Sequence, residues 1–108
     1  MTKNSLSTSQ VDLHDEIYLA VRFLSLHKVS SRTLSDKYHI SSKSWAKVYA
    51  GSKISDSLHE FLFKVVMTEL DLLRRLGDAD VIRVMAEVGR VHAGLPHDEE
   101  IWRYILTK

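Results

Sequence analysis

The 108-residue chain predicts an all-α fold of five or six helices in a single domain. Three observations predict it. Four glycines and one proline leave few places where regular structure must break. Apolar residues recur at spacings of three and four through most of the chain, the period of a helix face. Serine or aspartate stands just ahead of each such run, where a side-chain oxygen can accept from the orphan N–H groups of a helix start.

Residues 1–10 are polar and rich in serine and threonine, which predicts a flexible N-terminal tail ahead of a domain spanning 11–108. A first helix follows over about 12–27, with Asp12 or Asp15 at its N-terminus and Ile17, Ala20, Val21, Phe23 and Leu24 on its buried face. Lys28 lies near its C-terminal end, where a cation is favourable. Ser30 or Ser31 caps a second helix. A third runs from Ser41 or Ser42 to about Ala50, and Gly51 stops it. Ser55 and Asp56 can cap the longest helix, about 57–76. Its eleven apolar residues are too many for one stripe, so it reads as the central helix. Gly77 ends it and Asp78 caps a fifth helix, about 79–93, with Val81, Val84, Met85, Val88 and Val91 on one face. Gly94 and Pro96 precede a last helix, 98–106, carrying Ile101, Trp102 and Ile105.

The second and third helices, with the turn between them, form the most informative stretch, residues 31–51. Leu34 and Tyr38 share one face, Trp45 and Val48 share another, and Ile40 in the turn can fill the angle between them. Lys43, Ser44 and Lys47 are left on the outer side of the third helix. This pattern resembles the helix-turn-helix of Cro-type phage repressors and their bacterial relatives, and is similar to the DNA-reading part of the tryptophan repressor. The resemblance covers about a fifth of the chain. Ser35 takes the place of the small residue, usually alanine, where the two helices touch. His39 stands where the family usually has glycine, at a position that requires positive φ.

Charge is distributed unevenly. Residues 22–53 hold seven bases (Arg22, Lys28, Arg32, Lys37, Lys43, Lys47, Lys53) and one acid, Asp36, a balance of +6. The remaining residues hold eight bases and thirteen acids, a balance of −5. A near-neutral chain thus concentrates positive charge around the helix pair, the footprint expected of a phosphate-binding surface.

The resemblance implies a DNA-binding transcriptional regulator, a repressor, reading the major groove of double-stranded DNA with helix 42–50. Ser42, Lys43, Ser44 and Lys47 would face base edges; Ser31, Arg32 and Lys53 would hold phosphates. A homodimer joined through residues 57–106 would cover the surplus apolar side chains of the C-terminal helices. The rival reading is an antitoxin-like or phage-type adaptor that binds a protein partner through its helical surface.

Other classes find little in the sequence. Zero cysteines exclude disulfides and thiolate metal sites. No apolar run suggests a membrane span or a signal peptide, so a cytoplasmic location is expected. No nucleophile elbow or glycine-rich phosphate loop points to an enzyme. His59-Glu60 lacks the second histidine of a zincin motif. His92, His97, Asp98, Glu99 and Glu100 offer a metal-cluster reading, but acids in the first turn of a helix are explained by its dipole, so neither metal nor cofactor is expected.

Overall fold

The structure, a computed structural model, describes residues 13–108. The expected tail, and Asp12 as a helix cap, lie outside the described residues. Among the described residues six helices follow one another: α1 Glu16–Leu26, α2 Ser31–Tyr38, α3 Ser42–Ala50, α4 Asp56–Arg75, α5 Val81–His92 and α6 Glu99–Leu106. Among the described residues no strand occurs, and none of their helices is long and apolar enough to cross a membrane.

The starts follow local hydrogen-bond chemistry. Asp15, Ser30, Ser41, Ser55 and Asp98 each accept from a backbone N–H of the helix they cap. Asp78 does the same for α5 from two residues ahead of its cap position, accepting from Asp80 and Val81 N–H at 2.9 Å each. That tight turn moves the start of α5 to Val81. The first helix begins at Glu16, four residues later than the periodicity suggests, with Asp15 as its cap. It ends at Leu26, with Lys28 in the left-handed region at φ 67° and Val29 N–H donating back to Leu24 O.

The centre of the fold is α1, not the longest helix. Ile17, Leu19, Ala20, Val21 and Leu24 are all fully buried, and α1 packs against α3, α4, α5 and α6. The reason lies in polarity. Glu16 and Arg22 are its only charged residues, so almost its whole circumference can leave water. In α4, charged residues such as Glu60, Lys64, Asp71, Arg74 and Arg75 line one side. Leu62, Val65, Val66 and Leu70 face the core there, while Phe61, Leu72 and Leu76 stay exposed. The faces expected for α5 and α6 hold: Val81, Val84, Val88, Ile101, Trp102 and Ile105 are buried.

Three buried glutamates pin the helices. Glu87 on α5 accepts from Asp98 N–H and from the Trp102 indole, both at 2.7 Å, tying α5 to the start of α6. Glu69 on α4 accepts from Tyr38 O–H at 2.6 Å and Lys37 Nζ at 2.7 Å, tying α4 to α2. Glu16 on α1 meets His92 of α5 and His59 of α4. Burying a carboxylate is costly unless donors surround it, so each of these contacts also constrains how its helices pack.

Candidate nucleic-acid interface

The helix pair α2–α3 is built on few buried side chains. Leu34, Ile40, Trp45 and Val48 are buried; Ser35 and Tyr38 are half-buried. The Trp45 indole donates to Ser35 Oγ at 2.8 Å, so Ser35 provides both the small volume at the helix contact and an acceptor for the buried indole. Three residues, 39–41, join the helices. His39 adopts φ 59°, ψ 49°, and Ile40 N–H donates to Ser35 O at 3.1 Å, closing α2. An L-residue in the left-handed region costs on the order of 1 kcal/mol, and His39 is exposed. His39→Gly should therefore raise stability by about 0.5–1 kcal/mol, the larger backbone entropy of glycine offsetting part of the gain. A denaturant midpoint that rises with an unchanged slope is the expected readout; a lower midpoint refutes it.

The basic cluster divides in space. Arg22 donates to Tyr18 O–H at 2.8 Å, with its guanidinium 5.6 Å from the Tyr18 ring centroid. Lys37 is neutralised by Glu69, whose hydrogen bond holds the ammonium above the ordinary lysine range. Burial, followed by the Glu69 hydrogen bond, pushes the Tyr38 phenol up as well. Lys28, Arg32, Lys43, Lys47 and Lys53 remain exposed, and among the described residues none of them has a carboxylate partner. Arg22 keeps its charge beside a neutral phenol, so the free positive charge around the pair is smaller than the sequence count only by the Lys37 ammonium that Glu69 pairs.

The expected contact residues also divide. Ser31, Arg32 and Ser42 come together, lining a groove of about 480 Å³ with Ser35, Trp45, Ala46 and Tyr49. Lys43 and Lys47, four residues apart, share the exposed side of α3. Ser44 is half-buried, and its hydroxyl lies 3.0 Å from that of Ser41, within the cap of α3. Lys53 is not in the groove. It lines a separate pocket of about 430 Å³ that includes His14, Asp15, Asp56 and His59. Tyr49 was not among the expected contacts, although its spacing of four from Trp45 places it on the same side of α3 as the groove wall. Its ring makes an edge contact with Tyr18 at 5.9 Å.

The acids and histidines near the C-terminus do not form one cluster. Asp98 caps α6, His97 Nε2 lies 2.7 Å from His14 O, and His92 turns instead to Glu16. No protein-family model matches the chain, and searches of curated proteins and of solved structures return no match.

Proposed function

We propose that this protein is a sequence-specific DNA-binding transcriptional regulator, a repressor, that reads the major groove with α3. The observation that carries the reading is the left-handed conformation of His39. It occurs at the turn position where the resemblance requires positive φ, although histidine rarely adopts it. Support also comes from Lys43 and Lys47, which extend from α3 without a carboxylate partner among the described residues. Arg32 and Ser31 at the entry of α2 hold phosphate in this reading, and Lys43 and Lys47 approach base edges. The protein works in the cytoplasm as a homodimer through residues 57–106. The exposed Phe61, Leu72, Leu76 and Ile82 supply apolar surface for that contact, and two α3 helices about one DNA turn apart, roughly 34 Å, would read a palindrome.

Selection of genomic fragments with the purified protein, followed by salt titration of the enriched site, tests the reading. Lys43→Ala with Lys47→Ala should leave the fold intact and cost about 1–3 kcal/mol on the preferred site, with less loss on random DNA. Arg32→Ala should weaken all sequences alike and flatten the salt slope by about one unit. A folded double variant that binds every DNA as the parent does removes α3 as the reading helix. A parent without salt-dependent DNA binding favours the adaptor, with the groove beside Trp45 and Tyr49 as its docking surface.

A further inference from the structure

We infer that Glu16, His59 and His92 form a binding site for a divalent first-row transition cation, with zinc the best fit to the donors. The three residues come from α1, α4 and α5, and one ligand atom from each lies within 4.8 Å of the others. His92 Nδ1 is 2.6 Å and His59 Nε2 is 3.3 Å from the same oxygen, Oε2 of Glu16. Tetrahedral zinc with bonds of about 2.0–2.1 Å places its ligand atoms roughly 3.3 Å apart. The His59 spacing already meets that value. The shorter His92 contact is a hydrogen bond whose proton the cation replaces, with a small outward shift of the ring.

Three features distinguish this site from an incidental meeting of side chains. The Glu16 side chain is only 3% exposed, and among the described residues no lysine or arginine offsets its charge. The other nitrogen of His92, Nε2, lies 3.2 Å from Glu60 Oε1. A carboxylate on the far nitrogen is the usual partner of a metal-bound imidazole: it fixes the tautomer and strengthens the ligand. Phe63 lies flat on His92, with ring centroids 3.7 Å apart and an interplanar angle of 9°, which sets the ring plane. A fourth donor is at hand in Asp15, whose Oδ1 caps α1 while Oδ2 lies 3.6 Å from His59 Nε2. Asp15 and His59 also line the 430 Å³ pocket, which gives the cation a route from solvent. Two imidazoles and one or two carboxylates suit zinc and disfavour magnesium and calcium, which prefer all-oxygen shells.

Calorimetric titration of the full chain with zinc, with cobalt absorption as a spectroscopic readout, tests the site. One zinc per chain, visible cobalt bands of four-coordinate strength, and a raised melting temperature are expected. His59→Gln and Glu16→Gln should abolish the cobalt bands. Glu60→Gln, which touches no metal ligand position except through His92, should weaken zinc binding by roughly 10–100-fold. His27→Gln, at a histidine paired with Asp78 instead, should bind as the parent does. Circular dichroism checks that each variant is folded, and the parent's cobalt spectrum and the Glu60→Gln affinity decide the matter even where another variant unfolds. A parent that takes up no stoichiometric zinc, that binds magnesium as tightly, or whose zinc affinity is lost in His27→Gln and kept in His59→Gln and Glu60→Gln overturns the inference. In that case the cluster is a hydrogen-bonded pin between helices. The site stands independently of DNA binding by α3.

Discussion

Trp102→Ala is expected to destabilise the protein by about 3–5 kcal/mol, the range for removing a large buried aromatic. Trp102 is completely buried, and its indole donates to Glu87 Oε2 at 2.7 Å. Alanine leaves a cavity between α6 and the core and removes one of the two donors around a buried carboxylate, a further cost of about 1–3 kcal/mol where water cannot replace it. Domains of this size are stable by about 5–15 kcal/mol, so the variant approaches global unfolding. A graded series separates packing from hydrogen bonding. Trp102→Phe keeps most of the volume and loses the donor; Glu87→Gln keeps an acceptor oxygen for both Asp98 N–H and Trp102. The expected order of loss is Trp102→Ala, then Trp102→Phe, then Glu87→Gln, measured from denaturant midpoints. A Trp102→Ala midpoint within about 1 kcal/mol of the parent contradicts this account.

Trp45→Ala should cost a similar amount, about 3–5 kcal/mol, but with a different distribution over the structure. Trp45 is nearly buried and its indole donates to Ser35 Oγ. The α2–α3 pair relies on Leu34, Ile40, Trp45 and Val48 for its buried apolar surface, whereas α1 and α4 share a larger core with α5 and α6. Removing Trp45 takes away the largest of those four side chains, so the pair should open before the rest. Amide exchange should show α3 losing most of its protection while α1 and α4 keep theirs, because low local contact lowers the free energy of local opening. The chain has two tryptophans, so Trp102 emission in this variant reports on the remaining core alone. Uniform loss of protection in all six helices would place Trp45 in a single cooperative core instead.

Helix identity, capping and termination were legible because their signals are local. Ser30, Ser41 and Ser55 cap within a few residues of their own position, and the interior faces of α5 and α6 follow a spacing of three and four. The positive φ at His39 was expected only from the resemblance, which puts a glycine at that turn position. The ends were less legible: the start of α1, expected near residue 12, falls at Glu16, where Asp15 caps it. Among the expected contact residues, Ser31, Arg32 and Ser42 meet in one groove and Lys43 and Lys47 share one face. Lys53 sits in another pocket, which no spacing in residues 31–53 could reveal.

Periodicity says which side of a helix leaves water but not which helix meets it, since that depends on how all six pack at once. Hence α4, with the most apolar residues, looked central by count, while α1 holds the centre because nearly all its circumference is apolar. Hence too Lys37 counted as a free cation until Glu69, 32 residues away, took it up. Glu16 and His92 are 76 positions apart, and nothing in either local sequence marks them as neighbours. Local chemistry runs over three or four residues and survives in the order of the chain. Buried carboxylates find their partners through the packing of distant helices, and the constraint that joins them is the cost of leaving a charge unpaired in the core.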